Sequence, residues 1–346
     1  LLDANAMVEF LEELHDALDD APQNARFKIE NDRVVEFAGS ESGSSVDDQA
    51  FFDAFEAILG TDDATVTVAM RIEEPSITTE NVNNLGIKDI LGVGTSTFSG
   101  SPANRRANIK HGAEKLNGLL IAPDETVSLL EQLRPFTVAD GYFPELVIKG
   151  DEIKPEVGGG LCQIGTTAFR GVMNSGLEIV ERRNHSLVVS YYNDPSNGKP
   201  GTDATIYDPA PDFKFKNDTG NYILLVTEIV DDTSTINFTF WGTSDGRVGS
   251  YEPPQVLTWS GYGETVYKET TSLAEGVTQC QSPHPGATTT FTYTVAYPDG
   301  TTFDEEFPSS YRSLPKICLI GVAAEAEEEP ASSEETDTTT ETPATE

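Results

Sequence analysis

Apolar residues recur at helical spacing from the start of the chain. Met7, Phe10, Leu11, Leu14 and Leu18 predict one amphipathic helix, and Phe51, Phe52, Phe55 and Ile58 predict a second over residues 47–59, with Ser45 as its candidate cap. Two short strands, 25–29 and 33–37, flank an Asn31-Asp32 turn, and residues 65–72 alternate like a third strand. Residues 1–75 therefore read as a small α+β domain without a catalytic constellation. Residues 76–98 read as a linker into the core. A helix is expected to begin in the run Ser101-Pro102-Ala103-Asn104-Arg105-Arg106-Ala107-Asn108-Ile109 and to continue through Ala113 and Leu116.

In the middle of the chain, Ile164, Ala168 and Val172 fall at i, i+4 and i+8. Phe169 and Met173 widen the stripe, and Gly176 is placed to end the helix. The β-branched run 187–192 and the apolar run 222–229 read as buried strands, and 235–241 alternates like another. The fold class expected is α+β. A mixed β-sheet core carries the helix over residues 99–245, and a β-rich module follows over 246–322. Within that module 288–297 and 303–307 form a hairpin across Pro298-Asp299-Gly300-Thr301. Residues 323–346 hold Glu, Thr, Ser, Ala and Pro with no large apolar residue, the composition of a disordered tail or linker.

Charge narrows the classes of partner. Among 346 residues, 58 acidic against 22 basic give a net charge of −36, which repels nucleic acid and anionic membrane headgroups. No run approaches the roughly 20 apolar residues of a membrane span. The chain starts at Leu1 within a helical pattern, as a trimmed sequence would, so any anchoring segment is expected outside it. Of three cysteines, Cys280 and Cys318 bracket a β-rich segment and leave Cys162 over. A structural disulfide there implies an oxidising compartment and contributes roughly 4 kcal/mol in the chain-entropy model; three free thiols are the alternative.

The most pointed chemistry is Gly158-Gly159-Gly160-Leu161-Cys162-Gln163-Ile164-Gly165-Thr166-Thr167. A thiol in the first turn of a helix sits among unpaired N–H groups that favour thiolate, and the glycines leave it uncovered. The ordinary alternative is a buried cysteine acting as a small hydrophobe. His185, in Arg182-Arg183-Asn184-His185-Ser186, would stand at the start of the adjoining strand and pair with the thiol. Cys162 and His185 are too few ligands for zinc, and no cofactor is expected. Arg105 and Arg106, beside Asn104 at a helix N-terminus, suit a carboxylate, though solvated arginines are the more common case.

These blocks, with Asp203-Ala204-Thr205-Ile206 and Phe215-Lys216-Asn217-Asp218-Thr219-Gly220, resemble the VanW domain family, and residues 1–75 resemble a peptidoglycan-binding module that often precedes it. At Gly165 many members carry serine. The resemblance implies an extracellular, cell-wall protein that acts on peptidoglycan, with some members serving as L,D-transpeptidases. In that chemistry Cys162 attacks a stem-peptide carbonyl, His185 moves the protons, and the N–H groups of Cys162 and Gln163, or the Gln163 side chain, hold the oxyanion. Asp203 or Asn184 would orient the imidazole. Gly160, Thr166, Thr167, Asn184, Asn104, Arg105 and Arg106 are candidates for substrate contact, Thr166 also for the missing serine hydroxyl. The rival readings are a non-catalytic wall-binding adaptor and an L,D-carboxypeptidase or amidase using the same cysteine.

Overall fold

A computed structural model describes residues 4–23, 25–30, 33–59, 61, 65–75, 85–149 and 152–323. The Asn31-Asp32 turn and the tail beyond residue 323 lie outside the described residues. Two units are present: Leu1–Gly261 with His284–Leu314, and Tyr262–Pro283 with Pro315–Glu346.

In the first unit, helix Ala4–Leu18 lies against strand Gly43–Val46, with the Phe10 and Phe51 rings 6.0 Å apart. The second helix is Asp48–Ile58, and its cap is Asp47 rather than Ser45: the Asp47 carboxylate accepts the Ala50 N–H at 3.0 Å. Ser45 lies in the strand, where its hydroxyl donates to Glu73 at 2.8 Å. Its partner strand is Met70–Glu73, shorter than the alternation of 65–72 predicts. Strands Arg26–Glu30 and Arg33–Ala38 pair, and Phe27 packs with Ile87, Leu120 and Leu224, while its N–H donates to Gly118 O at 3.3 Å. The N-terminal elements are thereby stitched to the centre.

The central sheet runs in the order Asp89–Thr97, Thr235–Gly242, Ile223–Val230, Leu119–Ile121. Its pairings are antiparallel rather than mixed. Ile223 and Leu225, with Ile236, Phe238 and Phe240 of the alternating partner strand, supply one buried face, and Leu224 packs on the other with Phe27 and Leu120. Asp89–Thr97 falls where a linker was expected. It carries little hydrocarbon because it packs through absent side chains: a Cβ on Gly94 would stand 2.1 Å from Thr167 O, and one on Gly92 2.4 Å from Ser175 N. The helix Cys162–Asn174 therefore lies directly on this strand, with Gly171 against the Phe240 ring. Gly176, at φ 70°, follows its last turn.

Residues 187–189 and 192 are buried and 190–191 exposed, and the run forms no strand; only Ser190–Tyr192 makes a short 3-10 turn. Side chains take the backbone groups that a sheet would use. Arg170 donates to Tyr192 O at 2.7 Å and Asn193 O at 3.1 Å, and His284 bonds Val188 O at 3.0 Å. Residues 202–207 are likewise irregular, whereas Lys214–Lys216 pairs with Thr126–Ser128 and Glu178–Glu181.

The expected hairpin is present as Gly286–Ala296 and Thr302–Tyr311, flanked by Val248–Tyr251 and Gln255–Ser260. Phe291, Tyr293 and Phe307 join the same core as the cysteine helix, and the Phe169 and Phe307 rings stand 5.7 Å apart. In the second unit, Ile317–Gly321 pairs in parallel with Val266–Thr270 and antiparallel with Thr278–Gln281. Cys280 and Cys318 are opposed in that register and disulfide-bonded.

Candidate active site

Cys162 is the first residue of its helix, reached through a turn in which Gly158 and Gly160 take φ of 84° and 110°. Those left-handed angles are the reason for glycine here. Asn108, fully buried, fixes the turn by donating to Phe143 O and Gly159 O at 2.9 Å each and accepting the Phe143 N–H. Leu161, Ile164, Ala168 and Val172 anchor the helix in the core. The thiol remains half-buried at the floor of a cleft of about 690 Å³. Gly160, Leu161, His185, Tyr191, Tyr192, Thr205 and Ile206 are among its lining residues.

His185, 7% exposed, is held from one side. Its Nδ1 bonds Asp203 Oδ2 at 2.6 Å, and the same oxygen accepts its backbone N–H at 2.7 Å. Asp203 also accepts from the Tyr311 hydroxyl and lies 3.5 Å from the Arg182 guanidinium. The Tyr192 ring stacks on the imidazole at 4.6 Å. With Nδ1 committed to the carboxylate, buried Nε2 has no partner within strict hydrogen-bond geometry among the described residues, and it is the nitrogen available to interact with the sulfur.

Electrostatics couple the three groups. Burial pushes the Cys162 thiol up, but the His185 charge and hydrogen bonding, with the Thr205 hydroxyl at 3.3 Å, outweigh it and bring the pKa down to about 7. Burial pulls His185 down, and the Cys162 and Asp203 charges more than reverse this, lifting it to about 9. Burial also raises Asp203, yet His185 and Arg182 hold it well below the usual carboxylate range. Between about pH 7 and 9 the pair is thiolate and imidazolium.

The other predicted residues separate. Asn184 lines the cleft, but its amide donates to His185 O and Ser310 O at 2.8 and 2.9 Å; the imidazole is oriented by Asp203 instead. Gln163 is fully buried. Its amide donates to Ser96 at 2.6 Å and Thr97 O at 3.2 Å, its side-chain oxygen accepts from Arg105 at 2.9 Å, and its N–H is taken by Gly160 O. It therefore has no donor left for an oxyanion. Thr166 is tied to the Ala204 backbone, and Thr167 to Gln163 O and Ser96, both away from the cleft. Gly165 faces Ala204 O, 3.0 Å from where a Cβ would stand.

Asn104 donates to Pro144 O at 3.0 Å, outside the cleft. Arg106 lies over the Phe98 ring, near Ser234 and Asp231. Only Arg105 of that trio reaches the cleft, with its guanidinium committed to Ser101, Gln163 and Tyr192. Sequence reasoning missed Tyr192, Arg182 and Tyr311. Arg182 donates to Ser309 at 2.9 Å as well as to Asp203 O and Gly201 O. Tyr311 and Ser309 approach from a distant hairpin, which no local spacing reveals.

Residues 104–241 match the model of a family described as VanW like protein. "Uncharacterized protein YoaR" of Bacillus subtilis is 31% identical over 178 residues, 51% of this chain and 56% of that protein. "Vancomycin B-type resistance protein VanW" of Enterococcus faecalis is 34% identical over 156 residues, 44% of this chain and 52% of the relative. The chain thus spans about half the length of these curated relatives.

Proposed function

We propose that the VanW-like domain over residues 104–241 is part of a cysteine acyltransferase of the cell wall, an L,D-transpeptidase acting on peptidoglycan stem peptides. One observation carries the reading: Cys162 and His185 line one cleft and couple electrostatically, with buried Asp203 bonded to the far nitrogen of the imidazole, the arrangement of a nucleophile, a proton carrier and an orienting carboxylate. The vancomycin-resistance name of the Enterococcus relative supports a cell-wall role. The disulfide favours an oxidising, extracellular setting. The N-terminal elements would serve as a peptidoglycan-binding module.

In the first half-reaction the Cys162 thiolate attacks the carbonyl of an L-centre. The C–N bond then breaks as His185 gives its proton to the departing amine of the terminal D-residue, leaving a thioester. In the second, neutral His185 takes a proton from the amine of a neighbouring stem. That amine attacks the thioester carbonyl and expels the thiolate, forming the cross-link. The Cys162 N–H, at the start of the helix and on the same residue as the sulfur, is the donor placed for the oxyanion.

The test is incubation of disaccharide-tetrapeptide fragments with the protein and with Cys162→Ala, followed by mass spectrometry. Dimers and a Cys162 acyl adduct that vanish in the variant are expected. Trimmed monomers alone would turn the reading to hydrolysis. Neither product nor adduct would leave a wall-binding adaptor.

A further inference from the structure

The cleft is cationic in a protein of net charge −36. Arg105, Arg183 and Arg312 line it along with His185, and the acids that line it are Glu156 and Asp208. Both acids are engaged. Glu156 accepts from Tyr207 at 2.7 Å and lies 3.8 Å from Lys154, while Asp208 accepts from Arg134 at 3.0 Å. Arg105 is committed as described. Arg183 differs: it is exposed, and its guanidinium makes no hydrogen bond or ion pair among the described residues. Its backbone is nonetheless fixed, since its carbonyl accepts the Thr205 N–H at 2.8 Å. Arg312, which lines the same cleft, has its backbone fixed through a 2.9 Å bond from its N–H to Ser186 O.

Arg183 shares the cleft with His185, two residues along the chain. Arg182 turns inward over the Phe169 ring, whereas Arg183, Asn184 and His185 all line the cleft. Under the proposed reaction His185 protonates the departing amine, and the α-carboxylate of the departing residue is only two bonds from that nitrogen. A guanidinium without a partner among the described residues, in the same cleft as the proton donor, suits that carboxylate, because arginine matches a carboxylate with two parallel N–H donors.

We infer that Arg183, assisted by Arg312, is the specificity-determining residue that binds the free α-carboxylate of the acyl donor's terminal residue, so that the site accepts peptides ending at the residue to be released. This rests on the transpeptidase reading for the direction of the substrate, but its test does not rest on turnover. Binding of a stem tetrapeptide with a free C-terminus, and of the same peptide as its C-terminal amide, is measured by calorimetry in the Cys162→Ala background. The free acid should bind about tenfold tighter or more. Adding Arg183→Gln should bring the two peptides to the same affinity, and Arg183→Lys should restore part of the difference. Equal affinities in the Cys162→Ala protein, no binding of either peptide, or a preference that survives Arg183→Gln would overturn the inference. Absence of turnover on every donor would sink the transpeptidase reading and leave this comparison standing.

Discussion

Cys162 and His185 face one cleft from walls held in different ways. The cysteine wall is a helix pressed onto a glycine-bearing strand, with Leu161, Ile164, Ala168 and Val172 in hydrocarbon behind it. The histidine wall has almost no regular structure. It is held by charge and hydrogen bonds: Asp203 to His185, Arg182 and Tyr311 to Asp203, and Arg170 to the carbonyls of Tyr192 and Asn193. A packed wall fixes the thiol regardless of pH. A polar wall makes the position and charge of the imidazole depend on each member of its network. Damage to the first should therefore read out in stability, and damage to the second in reactivity.

The sharpest break is Asp203→Asn. The amide cannot accept both the imidazole and backbone N–H of His185 while stabilising an imidazolium. A loss of roughly a thousandfold in kcat/KM is expected, worth about 4 kcal/mol, with the helical circular dichroism signal kept. A loss under tenfold would place the orienting group elsewhere. On the opposite wall, Gly94→Ala pushes a methyl into the backbone of the cysteine helix, 2.1 Å from Thr167 O. It should lower stability by about 3 kcal/mol, read as a fall in denaturant midpoint, because neither backbone can yield.

How each wall was written in the sequence follows from these forces. Apolar spacing from Ile164 onward marked the cysteine helix, the glycines before Cys162 marked its first turn, and Asp203 stood among the candidates for orienting the imidazole. Strand Asp89–Thr97 escaped notice because it packs through Gly92 and Gly94, and hydrocarbon periodicity is silent where the contact is backbone on backbone. Residues 187–192 looked like a strand because burial and β-branching mimic one, yet their carbonyls are served by Arg170 and His284. Thr166, Thr167 and Gln163 seemed to offer polar groups to a substrate. They are inward ties between helix, strand and loop, and only the identity of their partners reveals this.

A pH series sharpens the comparison next. Alkylation of Cys162 by iodoacetamide should rise through about pH 7, because that is where the thiolate forms against the imidazolium. In His185→Gln the cation is gone and burial is opposed only by the weaker contacts to the Thr205 hydroxyl and Ile206 O, so the rise should move up to about pH 9. At pH 7 the rate should then fall about fiftyfold. An unmoved midpoint would mean that the helix terminus, not the histidine wall, sets the charge of the sulfur.

The smallest effect tests how far the histidine wall extends. Tyr311 lies outside the family-matched residues 104–241, yet its hydroxyl donates to Asp203. In Tyr311→Phe the carboxylate keeps both bonds to His185 and the charge of Arg182, so it is weakened rather than stranded. The expected cost is about 1–2 kcal/mol in stability, with kcat/KM lower by tenfold or less and the alkylation midpoint still near pH 7. This is the pattern of a brace acting through Asp203. A loss as large as that of Asp203→Asn would instead make the hairpin a supplier of a group to the reaction, because one hydrogen bond to an already held carboxylate is too small to account for it.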